Sequence, residues 1–157
     1  MFKTILWATD GSETAARALP FAVGLVETDK AKLVVAHVHE IFVGRAGGYP
    51  VLADEAELRE TIGRQVEELQ SGGIDATYVV RTSTSGHAAG AIAEIAREVE
   101  AELIVVATHG YGRVAGLLLG SVTQGLLHAG VCPVLAIPAG VTVETAEHQL
   151  ELSSTTA

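Results

Sequence analysis

Five short aliphatic runs, separated by longer stretches with helical periodicity, constrain the fold of this chain more than any other feature. Runs rich in Val, Ile and Leu without polar alternation are typical of strands buried on both faces. Such strands alternating with helices predict a single α/β domain: an open, twisted, five-stranded parallel sheet with helices on both faces, a Rossmann-like arrangement. The predicted strands are Thr4–Ala8, Leu33–Val38, one containing Tyr78–Val80, Leu103–Ala107 and Pro133–Ile137.

The intervening segments carry apolar residues at three- and four-residue spacing, which predicts amphipathic helices. Asp10 with Glu13, or Ser12 alone, supplies the cap of the first helix, which Pro20 should kink or delay. The long connection over residues 39–52 is either a cover for a bound ligand or an exposed loop without a role. Later helices are predicted over residues 54–70, from residue 88 and over 121–129, with a polar turn at 82–86.

The fourth run leads into a glycine-rich segment, Thr108–Gly112, and the pair Gly120–Ser121 then opens a helix. Glycines allow sharp turns and close approach of a ligand to the backbone. Because a helix start presents N–H groups and a partial positive charge, the combination predicts an anion site. The spacing differs from the common dinucleotide and P-loop patterns.

This segment resembles the universal stress protein family, in its ATP-binding branch. The branch carries Gly, two residues, Gly, nine residues and then Gly-Ser or Gly-Thr; here Gly110, Gly120 and Ser121 match, and Ala107 replaces the first glycine. A second resemblance lies in Thr9–Glu13 and in His37–Val38, and the likeness extends over roughly residues 2–138 by element order.

The resemblance implies the strand order 3-2-1-4-5, with the aspartate after strand one and the valine ending strand two beside the adenosine. It implies ATP as ligand, and Mg²⁺ is expected with it because an acidic chain must hold a triphosphate. The nucleotide-binding residues expected on this basis are Thr9, Asp10, Val38, Ala107, His109, Gly110, Gly112, Arg113, Gly120, Ser121, Val122 and Thr123.

Several of these residues also have purely structural explanations. Ser121 contacts phosphate or caps its helix, and Asp10 holds a ribose or metal or only caps the first helix. Arg113 reaches phosphate or is solvated, and Tyr111 stands where the family often has a basic residue.

Ala107 is the clearest departure from the family pattern. A strand residue has negative φ, so alanine keeps the backbone path that glycine would follow. Its methyl group is expected to crowd the ribose or phosphates, which weakens nucleotide binding without abolishing it.

Composition excludes several classes of function. The formal charge of −9 disfavours nucleic acid as a partner, and the single cysteine, Cys132, excludes an intrachain disulfide and fits a reducing, cytoplasmic setting. The N-terminus lacks a signal-peptide pattern. Residues 114–143 contain no Asp, Glu, Lys or Arg, but their polar residues, glycines and prolines favour a buried helix and strand over a membrane span.

Two functions from different classes remain. The first is an ATP-binding regulatory protein of the stress response, with slow hydrolysis at most; the second is a nucleotide-free dimer that acts through protein contacts. No catalytic residues are identifiable, and His37 with His39 make a weak zinc site without a third ligand. An adenylate-transferring enzyme is a distant third. A homodimer through the edge strand 133–137 and a loose tail over residues 141–157 are also expected.

Overall fold

The computed structural model describes residues 1–41, 52–84, 86–108 and 119–144, and for residues 52–54 the backbone alone. Strands and helices alternate along the chain, as the aliphatic runs predict. In order, the elements are β1 (Thr4–Thr9), α1 (Glu13–Ala16), α2 (Leu19–Asp29), β2 (Lys32–Ile41), α3 (Leu52–Ser71), β3 (Ala76–Thr84), α4 (Ala88–Glu98), β4 (Leu103–Ala107), α5 (Ser121–Ala129) and β5 (Val134–Ile137).

The five strands form one sheet in the order β3-β2-β1-β4-β5, and every neighbouring pair is parallel. Both the fold class and the strand order are confirmed. β1 therefore lies between β2 and β4, and the strand order reverses at β1. In open α/β sheets this is the place where ligands bind, outside the carboxyl ends of the strands.

Alternation of side chains divides the core into two clusters, one on each face of the sheet. The first cluster contains Trp7, Val105 and Ala107 with residues of α2 and α3, and the second contains Leu6 and Val106 with residues of α4 and α5. Each central strand is buried on both faces, which explains its continuous apolar sequence.

Pro20 delays the second helical segment, as predicted. α1 ends at Ala16, and α2 begins at Leu19 with Pro20 in its first turn, where a missing N–H costs no helical hydrogen bond. The Ser12 hydroxyl accepts a hydrogen bond from the Ala15 N–H at 3.1 Å, so Ser12 alone provides the cap of α1.

The largest differences from the predicted boundaries lie in the β2–β3 pair; the other predicted strand and helix ends lie within two residues of those observed. β2 continues to Ile41, and β3 continues to Thr84, so the polar turn predicted at residues 82–86 is wrong for Thr82–Thr84. The two strands stay in register up to Ile41 and Thr84. Backbone pairing with β2 therefore extends β3 through Thr82–Thr84. These residues are polar, so the apolar pattern of the sequence does not predict that they form a strand.

No helix in the described ranges has the length and apolar character to cross a membrane. Of the predicted tail, residues 141–144 are described: Val141 packs against the first core cluster, and its N–H donates to the Pro138 carbonyl at 3.0 Å. Residues 145–157 lie outside the described part of the chain.

Candidate functional site

The carboxyl ends of β1 and β4 lie side by side, as the strand order requires. Trp7 is paired with Val105, and the same register two residues further on brings Thr9 level with Ala107. The segments that follow these strands, one beginning at Asp10 and the other at Thr108, therefore start at one edge of the sheet. This edge is the candidate site.

The segment after β1 forms a tight turn built from side chains. The Gly11 N–H donates to the Thr9 hydroxyl at 3.1 Å, and the Ser12 N–H donates to Asp10 Oδ1 at 2.9 Å. Gly11 has φ +78°, a conformation that L side chains rarely adopt, and a Cβ there would also displace the Leu58 side chain, so glycine suits the position. Asp10 thus shapes the turn and lies half-buried at the edge, while Ser12 carries out the capping.

Backbone hydrogen bonds join the two ends of the segment after β4, Thr108 and Gly120, and this junction is called the neck. The Thr108 N–H donates to the Ile137 carbonyl at 2.9 Å, which anchors the end of β4 to β5. The Gly120 N–H donates to the Thr108 carbonyl at 2.6 Å. The chain therefore leaves the sheet and returns to it at one fixed point, and residues 109–119 lie between the two ends.

α5 begins at this neck without a side-chain cap. Its N-cap is Gly120, in an extended conformation, and among the described residues no side chain caps the helix. Ser121 is the first helical residue and is exposed, so the alternative in which Ser121 caps the helix is wrong. The positive end of α5 is consequently left for another acceptor.

Thr123 and Val122, which the resemblance places at the nucleotide, point inward. The Thr123 side chain is 1% exposed, and its hydroxyl donates to the Ala107 carbonyl at 3.1 Å. Val122 packs against the second core cluster. Their side chains thus tie α5 to the end of β4, which leaves their backbone N–H groups as the atoms that face an acceptor at the helix start.

The Ala107 methyl group lies in the first core cluster, with Trp7 and Ile137, and the residue is 6% exposed. This packing argues against the expectation that the methyl crowds the ribose or phosphates, which stays a prediction. Alternation along β4 is the reason: Val105 and Ala107 face the α2–α3 side of the sheet, whereas Val106 faces the α4–α5 side.

Val38 lies near the end of β2, half-buried, and packs against the second cluster together with Ala8 of β1. Val38 and Ala8 therefore form an apolar wall on the α4–α5 face of the candidate edge. Four predicted contacts, namely His109, Gly110, Gly112 and Arg113, lie outside the described residues, as does Tyr111.

A partly buried polar cluster lies on the opposite, α2–α3 face of the same edge. His37 and His39 share this face of β2, and both approach the Glu55 carboxylate of α3, at 3.3 and 3.8 Å. Arg59 Nε donates to Glu55 Oε1 at 2.6 Å. Within the described residues no group of three or more His, Cys, Asp or Glu side chains is arranged to hold a metal ion.

Glu55, which joins the two histidines and Arg59 in this cluster, was not predicted from the sequence. Burial opposes ionisation of its carboxyl, but the hydrogen bond from Arg59 and the nearby His37 and His39 rings outweigh burial and lower the pKa of Glu55. The shared face of His37 and His39 was visible in the sequence as an i, i+2 pair. Nothing local signals their partner, which lies on a different element.

A cavity of about 440 Å³ opens beside this cluster, between α3 and the end of β1. Trp7, Leu58 and Ile62 provide apolar lining, and Arg64 and Glu68 provide charged lining. Trp7, the least exposed of the lining residues at 1%, donates from its indole N–H to the Ala15 carbonyl at 3.3 Å. The cavity is therefore separated by the sheet from the apolar wall of Val38 and Ala8.

Known proteins resemble this chain both in sequence and in structure. The family model described as the universal stress protein family matches residues 1–138. A universal stress protein of Thermus aquaticus, encoded in a QAH/OAS sulfhydrylase 3′ region, is 35% identical over 143 residues, covering 87% of this chain and 99% of the relative.

Solved structures agree. A universal stress protein family member from Burkholderia pseudomallei has a TM-score of 0.62 at 30% identity, covering 87% of this chain and 96% of the other. A universal stress protein in complex with cAMP has a TM-score of 0.60 at 26% identity, covering 88% and 98%. With a family model matching nearly the whole described fold and a relative above 30% identity, the chain belongs to the universal stress protein family.

Proposed function

We propose that this protein binds ATP with Mg²⁺ at the edge formed by the carboxyl ends of β1 and β4, and acts as a nucleotide-dependent regulatory module. The observation that carries the proposal is the start of α5. Its N-cap is a glycine, so the described part of the chain gives its first-turn N–H groups no side-chain cap, and the backbone neck at Thr108 and Gly120 holds them beside the point where the strand order reverses. Such a helix start favours a phosphate group.

The two sides of the edge suit the two parts of a nucleotide. Val38 and Ala8 offer an apolar wall, and the half-buried Asp10 offers a carboxylate beside it, which suits an adenosine with ribose hydroxyls. The related universal stress protein solved with cAMP binds an adenine nucleotide, which supports the ligand class.

Mg²⁺ belongs to the proposal for an electrostatic reason. The chain carries a formal charge of −9, and a triphosphate adds about four more negative charges. Because the described residues provide no self-sufficient metal site, the ion would be bound mainly by phosphate oxygens and waters. We further propose a cytoplasmic homodimer, assembled through the β5 edge.

Thermal unfolding with Mg-ATP tests the proposal. A ligand at 100 times its dissociation constant stabilises a protein by about 2.7 kcal/mol, so the melting midpoint should rise by several degrees. Nucleotide released by heating freshly purified protein gives an independent readout. A flat melting response with no nucleotide released would support the alternative, a nucleotide-free dimer acting through protein contacts.

A pair of variants at Ser121 locates the ligand. Ser121→Asp places a negative charge at the start of α5, which should stabilise the free protein by about 0.3–1 kcal/mol and repel phosphate. The free protein and the complex should thus change in opposite directions. Ser121→Ala is the matched control, because it removes the hydroxyl without adding charge. Unchanged Mg-ATP affinity in Ser121→Asp would place the nucleotide elsewhere.

A further inference from the structure

His37 is a buried histidine whose two ring nitrogens both face hydrogen-bond acceptors. The residue is 3% exposed. Nδ1 lies 3.0 Å from the Thr9 carbonyl oxygen, and Nε2 lies 3.3 and 3.4 Å from the two Glu55 oxygens. A carbonyl oxygen cannot donate, so Nδ1 must carry a proton for the first contact to form.

The second contact then depends on the state of Glu55. A protonated Glu55 would donate to a bare Nε2. Burial opposes ionisation of Glu55, but its pKa lies below the usual range, with the hydrogen bond from Arg59 as the main lowering cause, so near neutral pH this group is a carboxylate. A carboxylate only accepts. A neutral His37 ring would therefore direct a lone pair at a negatively charged oxygen inside the protein.

We propose that His37 is held as a doubly protonated, positively charged ring that ties Thr9 of β1 to Glu55 of α3, so that the attachment of α3 to this edge responds to pH. The tie is independent of nucleotide binding, although Thr9 directly precedes Asp10. It lies on the α2–α3 face of the edge, opposite the apolar wall of Val38 and Ala8.

The charges around His37 come from each element packed against it in the described ranges. Glu55 and Arg59 lie on α3, and His39 lies on β2, 14% exposed. On β3, the buried Tyr78 hydroxyl has no hydrogen-bond partner among the described residues. Arg59 already offsets the charge of Glu55, but its side chain is 41% exposed and therefore screened by water, whereas His37 is enclosed.

The sign of the pH effect follows from proton binding. An unfolded histidine releases its proton near pH 6.5. Because the folded protein keeps a second proton on His37, it binds more protons than the unfolded chain, and its stability falls as pH rises. The contribution of the tie is complete below about pH 6.5 and is lost at higher pH.

Nitrogen-detected NMR of the imidazole rings tests the proposal directly. At pH 7 the wild-type His37 ring should show two protonated nitrogens. Glu55→Gln supplies the decisive comparison, because the amide both accepts from Arg59 and donates to a bare Nε2. In that variant His37 should show a single protonated nitrogen at pH 7. A bare ring nitrogen on wild-type His37 at pH 7 would overturn the proposal.

Urea unfolding at pH 6 and pH 8.5 provides the second readout. The midpoint of the wild type should fall between these values, and the fall should shrink in Glu55→Gln and in His37→Gln. His128→Gln is the matched control: this exposed histidine faces one backbone acceptor, the Gln124 carbonyl at 2.9 Å, and its loss should leave the fall unchanged. A fall of equal size in wild type and Glu55→Gln would contradict the tie.

Discussion

Replacing Ala107 by glycine separates the structural explanation of this position from the ligand-crowding explanation. If the methyl group crowded the nucleotide, Ala107→Gly would tighten Mg-ATP binding. In the structure the methyl packs against the first core cluster, and the residue contributes its carbonyl to Thr123, a contact that glycine retains. We therefore expect unchanged affinity and lower stability.

The size of the stability loss follows from two contributions. Glycine within a strand costs about 0.5–1 kcal/mol in backbone entropy, and a buried methyl group contributes about 0.8 kcal/mol. The free energy of unfolding should thus fall by about 1.3–1.8 kcal/mol, which corresponds to about 3–7 °C in the melting midpoint of a domain of this size. Urea unfolding without nucleotide measures this loss.

Calorimetric titration with Mg-ATP measures the affinity. The wild type and Ala107→Gly should agree within about twofold, or about 0.4 kcal/mol. Ala76→Gly is the matched control, because Ala76 is also a buried strand alanine of the first cluster but lies at the start of β3, away from the candidate edge. Binding tightened tenfold in Ala107→Gly and not in Ala76→Gly would refute the reasoning.

Three further predictions concern assembly, helix packing and the tail. Ala136→Pro should give monomers in sedimentation, because the Ala136 N–H points away from β4 and proline removes this outward donor. Ala136→Gly keeps the donor and is the control. A monomeric wild type at micromolar concentration would rule out the dimer. Gly125→Ala should destabilise the fold in urea unfolding, since the new Cβ would lie 2.4 Å from Ala89 Cβ and overpacking costs about 1–3 kcal/mol. Gly24→Ala has open space around it and should stabilise the fold by up to about 1 kcal/mol. Equal shifts in the two variants would contradict this difference. Truncation after Glu144 should leave the melting midpoint and Mg-ATP binding unchanged, and a drop of several degrees would show that the removed residues dock.

The parts of the fold that could be predicted are those with a local physical cause. α5 was predicted at its observed bounds because glycines flank it: Gly120 is its N-cap, and Gly130, at φ +58°, ends it in a left-handed conformation. Pro20 likewise determined where α2 begins. These signals act within a few residues and can be read directly from the chain.

The features that could not be predicted depend on partners distant in sequence. The side of the sheet that receives the Ala107 methyl depends on how β4 is oriented among its neighbours, which strand periodicity alone leaves open. The extension of β3 depends on its pairing with β2, and the charge cluster depends on α3 placing Glu55 over His37. The sequence of each element alone does not determine the face of Ala107, the end of β3 or the partner of His37.

The hydrogen bond between Gly120 and Thr108 has a consequence for how this family can diversify. The neck fixes where the chain leaves β4 and where it enters α5, so the distance between these two points does not depend on the number of residues between them. Doubling the number of residues in a flexible connection with fixed ends costs only about 0.6 kcal/mol in closure entropy. Changes in the number of residues between 109 and 119 therefore cost little closure entropy, and relatives can vary this connection while keeping the same sheet.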